Sequence, residues 1–249
     1  MAFSDDELER YARHIVLREV GGLGQRKLHE ARILCVGAGG LGSPALAYLA
    51  AAGIGHIGIV DDDVVSLSNL QRQIIHLTTE IGAQKTDSAV RLLGAINPHV
   101  EFETFPERLK RANVDQILSG YDVVLDGCDN FETRYLVNAA AARADVPLVS
   151  GAITQWEGQV SLYHPAQGTP CYQCVFPEAP ADGLAPSCAE AGVMGALAGI
   201  IGSLMANDAV KHLTGAGETL AAQLFIYDAL YADARKVRLV RRQDCPICS

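Results

Sequence analysis

Four of the seven cysteines stand in two Cys-x-x-Cys pairs, Cys171-Tyr172-Gln173-Cys174 and Cys245-Pro246-Ile247-Cys248. Each knuckle offers two thiolates, and four thiolates make a closed tetrahedral Zn²⁺ site with no position left for chemistry. Such a site is structural and would tie the end of the chain to a segment far upstream. An iron–sulfur cluster or two redox pairs would use the same ligands. Cys35, Cys128 and Cys188 stand alone. Cys188 lies beside a stretch rich in Pro and Ala, where an exposed thiol can serve as a nucleophile.

A second set of residues points to a nucleotide. Gly37-Ala38-Gly39-Gly40-Leu41-Gly42 follows the apolar run Ile33-Leu34-Cys35-Val36 and precedes a small-residue helix. Glycines there allow a tight turn and close backbone approach, and the helix start faces an anion. Asp61 comes about twenty residues later, at the end of a second apolar run, where a carboxylate accepts hydrogen bonds from ribose hydroxyls. That pair alone would fit a nicotinamide cofactor and an oxidoreductase. Arg72 and Lys85, just past the second run, suit a triphosphate better; ordinary surface charge is the plainer alternative. Gly82-Ala83-Gln84-Lys85-Thr86 is not a P-loop, because Gln precedes the lysine and the spacing is wrong. Asp129 follows the buried run Val123-Val124-Leu125, at the crevice where open α/β sheets bind ligands. It is expected to hold Mg²⁺, with Asp126 structural; an Asp capping the next helix is the plainer alternative. The seven histidines are scattered, and no Ser-His-Asp set is visible.

The elements that must position these groups are legible in outline. Ser4-Asp5-Asp6-Glu7 is a capping box, so a helix should run through Tyr11, Arg13 and His14, ended by Gly21, Gly22 and Gly24. A short helix is expected over 25–30, strands over 31–36 and 56–60, and a helix between them to Ala52. Helices over 85–96, 113–118 and 131–144 alternate with strands over 100–105, 121–125 and 147–151. The residues from Trp156 to Tyr163 alternate with period two, which implies antiparallel pairing. A loop over 177–186, a long helix over 192–213 and a hairpin over 223–227 and 236–240 complete the reading. The fold class is α/β: a Rossmann-like, mostly parallel sheet with flanking helices, continued by antiparallel strands, plus a four-cysteine zinc knuckle.

Composition narrows the classes further. The chain has 249 residues, 49% of them hydrophobic, and a formal net charge of −9. That is enough to bury a real core and excludes wholesale disorder. The acidic balance argues against nucleic acid as a partner, since phosphate binding needs cations. The acidic start Met1-Ala2-Phe3-Ser4-Asp5-Asp6-Glu7 does not read as a signal peptide. The apolar stretches 43–60 and 191–206 are too broken or too short to favour a membrane span. A cytoplasmic, reducing compartment is expected, and seven cysteines then speak against a disulfide framework.

Taken in order, Gly37–Gly42, Asp61-Asp62-Asp63, Ser66-Leu67-Ser68-Asn69-Leu70-Gln71-Arg72-Gln73, Lys85, Asp129-Asn130, the two knuckles and Cys188-Ala189-Glu190-Ala191-Gly192-Val193 resemble the MoeB/ThiF family of adenylyltransferases, relatives of the ubiquitin-activating enzymes. The resemblance covers nearly the whole chain. It implies a single adenylating unit over 1–249, with a nucleotide-binding half to about 150 and a carrier-binding and zinc half beyond. It implies Mg-ATP as substrate and a ubiquitin-like sulfur carrier ending in Gly-Gly as partner, the carrier's terminal glycine becoming an acyl-adenylate with release of pyrophosphate. Carried onto matching positions, Gly37, Gly39, Gly40 and Gly42 would contact ATP, Asp61 would hold the ribose, and Ser68, Asn69, Leu70, Gln71, Arg72 and Lys85 would surround the phosphates. Asp129, beside Asn130, would bind Mg²⁺. Arg13 matches an arginine that reaches the phosphates from the partner subunit, which implies a homodimer. The motif at Cys188 leans towards the molybdopterin branch over the thiazole branch, and Cys188 itself matches a cysteine used covalently in some relatives. Where the family often reads Asp-Cys-Thr-Asp-Asn, this chain has Asp126-Gly127-Cys128-Asp129-Asn130, with the acid kept. No rhodanese-like extension for sulfur delivery is expected. An oxidoreductase would leave Arg72, Lys85 and the knuckles without a role, and a silent docking module would have no use for the Arg13, Arg72, Lys85 and Asp129 set.

Overall fold

The apolar run before the glycine turn forms strand β1 (Arg32–Val36), buried at four consecutive positions because sheet neighbours and helices cover it on all sides. In this computed structural model, which describes residues 3–180 and 191–249, β1 is one of eight strands. The others are β2 (His56–Val60), β3 (Glu101–Phe105), β4 (Val123–Asp126), β5 (Leu148–Thr154), β6 (Glu157–Tyr163), β7 (Gln223–Asp228) and β8 (Asp233–Arg238). Their order in the sheet is β3-β2-β1-β4-β5-β6-β7-β8. The pairs from β3 across to β5 are parallel, and those from β5 to β8 are antiparallel. The chain winds outwards in opposite directions from β1 and β4, so a crevice opens beyond their carboxyl ends.

Helices close both faces. Helix α1 (Asp5–Ile15) starts on the expected capping box: the Ser4 amide donates to Glu7 Oε2 (2.9 Å) and the Glu7 amide to Ser4 Oγ (3.3 Å). Helix α2 (Gly21–Glu30) follows, then α3 (Gly42–Ala52), α4 (Lys85–Ile96), α5 (Val114–Leu118), α6 (Phe131–Ala144), α7 (Tyr172–Val175) and α8 (Gly195–Thr214). Leu46 and Leu49 of α3, with Leu197, Ile201 and Met205 of α8, pack with Ile33 and Ile57 on one face of the sheet. Ile117, Val137 and Ala141 of α5 and α6 pack with Leu34 and Val124 on the other. Helix α3 is apolar almost all round and correspondingly buried, and it ends on Gly53 in the left-handed conformation.

Two expectations need correction. Gly21, Gly22 and Gly24 do not end the first helix; α1 stops at Ile15, and these glycines open α2. A Cβ on Gly24 would lie 2.9 Å from Val20 Cγ1 and 3.4 Å from Thr214 Cγ2. Glycine there serves close packing against the end of α8, which outweighs its weak helix propensity. The late hairpin keeps its first strand, but the second is Asp233–Arg238, earlier than 236–240. Every residue of β8 is exposed, so no apolar alternation marks its register. Among the described residues no helix is long and apolar enough to cross a membrane.

Candidate active site

At the carboxyl end of β1 the chain reverses through Gly37, which takes φ +94°, a conformation only glycine adopts without strain. The turn must also let α3 start close to the sheet. A Cβ on Gly42 would fall inside the Gly37 carbonyl. Gly42 is therefore a packing residue behind the turn, while Gly37, Gly39 and Gly40 line the cleft in front of it. The Gly39 and Gly40 amides have no protein acceptor among the described residues, as an anion site requires.

The cleft holds about 1060 Å³ and runs from the glycine turn to the antiparallel strands. Asp61, at the end of β2, is pinned across the turn: Oδ2 accepts the Ala38 amide (2.8 Å) and Oδ1 the Asp63 amide (2.9 Å). Burial pushes its carboxyl up from the ordinary value, against the charge of Lys85 and those amides. Lys85 opens α4 with 5% exposure, and its Nζ donates to Asp63 Oδ2 at 2.8 Å. Arg72 lays its stem beside Gly40 and donates through Nη1 to the Ser68 carbonyl (3.1 Å).

Asp129 and Asn130 separate cleanly. Asn130 caps α6, its Oδ1 accepting the Thr133 amide at 2.9 Å. Asp129 is exposed at the cleft wall and has no hydrogen-bond or ion-pair partner among the described residues. The helix-capping alternative for Asp129 is thereby excluded, since its neighbour fills that role.

Of the predicted residues, the structure gathers Gly37, Gly39, Gly40, Asp61, Arg72, Lys85, Asp129 and Asn130 around one cleft. It does not bring Ser68, Asn69, Leu70 or Gln71 to that wall; Ser66–Asn69 form a small turn, and the Gln71 carbonyl packs against Gly195 at the start of α8. Arg13 is exposed on α1 and does not line the cleft. Cys188 lies outside the described residues, as do positions 181–186 of the expected loop.

Arg134 is a residue that sequence reasoning missed. The residue is 6% exposed, and its guanidinium donates to Asp126 Oδ2 (3.1 Å), Ser150 Oγ (3.0 Å) and the carbonyls of Cys128 (2.6 Å) and Gly151 (2.7 Å). Burial works to discharge it, but the Asp126 carboxylate together with Cys128, Tyr172 and Tyr163 outweighs this and pushes its pKa up. The hub fixes the turn that carries Asp129. Nothing in the local sequence announces it, because its partners come from three separate strands and turns. Asp126 also accepts the Cys128 thiol hydrogen, and burial with that carboxylate raises the Cys128 pKa far above its usual value. Burial raises Cys35 likewise, so both stay thiols. Arg134→Met should cost about 3–5 kcal/mol, since it strands a buried carboxylate. Urea unfolding checks this; a loss below about 1 kcal/mol would show that the pair adds little.

The four knuckle cysteines converge as expected. Sγ separations are 3.9 Å for Cys171–Cys174, 3.5 Å for Cys171–Cys245 and 3.4 Å for Cys174–Cys248. A tetrahedron with metal–sulfur bonds of about 2.3 Å has edges near ~3.8 Å, so the thiols fit one tetrahedral metal. Against burial, the Ile247 and Cys248 amides and the Cys171 thiol bring Cys245 down to about 7, while burial pushes Cys171 up. Tyr172 and Phe176, beside the first knuckle, also line the cleft, so the metal centre and the cleft share a wall.

The chain matches the ThiF family over residues 11–247. It is 48% identical to a sulfur carrier protein adenylyltransferase of Thermus thermophilus, the alignment covering 100% of this chain and 93% of that one. It is 46% identical to the SAMP-activating enzyme E1 of Haloferax volcanii, over 97% and 89% of the two chains. A mouse relative, adenylyltransferase and sulfurtransferase MOCS3, is 44% identical over 99% of this chain, which spans 54% of that longer protein. Among solved structures, E. coli MccB with MccA-N7isoASN superposes with a TM-score of 0.86 over 96% of this chain and 74% of its own, at 22% identity, a likeness of fold. With a family match over residues 11–247 and a relative 48% identical along the whole of this chain, the protein belongs to the ThiF family.

Proposed function

We propose that this protein adenylates the C-terminal glycine of a ubiquitin-like sulfur carrier, releasing pyrophosphate, and that the carrier serves molybdenum cofactor formation. The observation that carries the reading is the cleft itself. A nucleotide end built from the glycine turn, Asp61, Arg72 and Lys85 continues without interruption to an end lined by Thr154, Glu157 and Phe176. That second end leaves room for an extended peptide tail. The whole chain acts as one unit, residues to about 150 binding nucleotide and the rest binding carrier and metal.

A carboxylate is already a nucleophile at neutral pH, so the chemistry needs no general base. A terminal glycine oxygen attacks the α-phosphorus; the bond to the bridging oxygen breaks and pyrophosphate departs. The protein's work is alignment and stabilisation of the charge that builds on the leaving group. The free Gly39 and Gly40 amides, Arg72 and Lys85 take that charge, Asp61 orients the ribose, and Asp129 would hold Mg²⁺, which supplies further charge neutralisation. Lys85 must exchange Asp63 for phosphate oxygens. The four thiols would hold Zn²⁺ as a structural ion.

Arg13 joins the site from a second copy of the chain. Its exposure, together with large exposed apolar side chains at Val16, Leu23, Leu67 and Ile74, supports a homodimer with composite sites. Arg13→Ala and Lys85→Ala should each be nearly inactive alone, and their mixture should recover up to about a quarter of wild-type exchange, from the one intact site of each heterodimer. No recovery despite demonstrated subunit exchange would refute the shared site. ATP–pyrophosphate exchange, with and without carriers ending in Gly-Gly, tests the main reading. Exchange that requires one carrier's terminal glycine establishes reaction and partner together. A folded, metal-loaded protein that shows none with any such carrier overturns it.

A further inference from the structure

In the glycine turn, the N–H and the carbonyl of Ala38 are each held by a side chain from outside the turn, and Ser43 Oγ also reaches that carbonyl, at 3.5 Å. The Ala38 N–H is held by Asp61 Oδ2 at 2.8 Å. Its carbonyl faces Nε2 of His76 at 2.9 Å. A carbonyl only accepts, so Nε2 carries a hydrogen and donates it. His76 is 5% exposed, and its other ring nitrogen lies 2.8 Å from Ser88 Oγ. Ser88 Oγ in turn lies 2.5 Å from Glu80 Oε2, and Arg91 Nε donates to Glu80 Oε1 at 2.7 Å. An ordered chain of four side chains thus runs from the surface of α4 to a single backbone carbonyl in the nucleotide turn.

We propose that His76 is a positioning residue for ATP binding. It sets the plane of the Ala38–Gly39 peptide so that the Gly39 amide points at the phosphates. This rests on the adenylation reading above. Three features carry it. First, His76 belongs to the same turn as Arg72 and Gln73, its amide donating to the Gln73 carbonyl at 3.1 Å. The cation and the amide cradle are therefore set by one rigid segment. Second, the carbonyl contact survives any sharing of protons further along. Three contacts link Ala38, His76, Ser88 and Glu80, whereas a neutral imidazole and a hydroxyl supply two hydrogens, so the Ser88 hydrogen serves His76 or Glu80 in turn while Nε2–H stays on Ala38. Third, burial and the Lys85 charge favour the neutral ring that the contacts on both nitrogens hold in place. Burial lowers the His76 pKa, the Ala38 carbonyl opposes that, Lys85 adds to it, and Asp61 and Glu80 pull the other way. Ser88 and Arg91, against burial, hold Glu80 below the usual carboxylate range.

The test is ATP affinity, read by equilibrium binding and by KM for ATP in the exchange reaction. His76→Ala should raise both by about tenfold, the equivalent of one misdirected donor. His76→Gln, whose amide N–H can reach the same carbonyl, should return them to within about threefold of wild type. A merely structural histidine would lower the active fraction and the thermal midpoint but leave KM for ATP unmoved and would not be rescued by Gln. Unchanged affinity in folded His76→Ala overturns the proposal. If His76→Ala does not fold, Ser88→Ala and His76→Gln carry the test: a rise in KM for ATP in Ser88→Ala exceeding that in His76→Gln supports the relay, and unchanged KM in both overturns it. Wild-type protein that binds ATP without exchange would indict the adenylation reading alone, because the binding arm still reports on His76.

Discussion

Asp129→Ala is expected to lower ATP–pyrophosphate exchange by at least about 10³-fold while leaving the thermal midpoint within about 2 °C of wild type. The first figure follows from the worth of a positioned divalent cation, several kcal/mol of transition-state stabilisation, at about 1.4 kcal/mol per factor of ten. The second follows from geometry. Asp129 is exposed and makes no hydrogen bond or ion pair within the described structure, and such surface changes stay within about 0.5 kcal/mol. Its neighbour provides the contrast. Asn130 caps α6 through the Thr133 amide, so Asn130→Ala should cost about 1 kcal/mol of stability. The two adjacent polar residues are thus expected to divide catalysis from folding. Exchange and differential scanning calorimetry on both variants check the division; Asp129→Ala with exchange above a tenth of wild type would remove the metal from this position.

Cys174→Ser is expected to strip the bound metal and lower the thermal midpoint by about 10 °C. The knuckle joins residues 74 positions apart in sequence, Cys171 to Cys245 and Cys174 to Cys248. Closing a loop of that length removes about 4 kcal/mol of unfolded-chain entropy, and about 2–4 °C of midpoint goes with each kcal/mol in a chain of this size. Metal content by elemental analysis and a thermal scan measure both effects. A variant that keeps its metal, or keeps its midpoint, would show that the four thiols do not act as one tie. Cys171 and Cys245 are fully buried beside Ile247, so the cluster contributes a small core of its own whether or not a metal is present. Loss of the tie should also raise KM for the carrier, because Tyr172 and Phe176 would no longer be held on the cleft wall.

The likeness to MccB, at 22% identity, bears on fold alone. The longer mouse relative carries sequence that this chain does not match.

The features legible from residue order are the local ones. The capping box at Ser4, the strand–glycine–helix unit around Gly37, the carboxylates at strand ends and the two knuckles are each encoded within a few residues of one another. Their backbone demands, such as φ +94° at Gly37, are met by residue type alone. Spacing also predicted which strands are buried, because parallel strands covered on both faces read as continuous apolar runs. Whatever depends on distant segments meeting had to wait for the folded chain. Arg134 finds Asp126 and Cys128 at the end of β4 and Ser150 and Gly151 on the neighbouring β5. His76 finds Ala38, 38 residues away. Ser68 to Gln71, predicted to face the nucleotide, lie instead in a small turn and against the start of α8. The glycines before Gln25 open a helix because close packing on α8 outweighs their propensity. Local signals survive in a sequence because they act through backbone conformation and periodicity. Buried polar partnerships do not, because low-dielectric hydrogen bonding rewards whichever groups the fold brings together, at any separation along the chain.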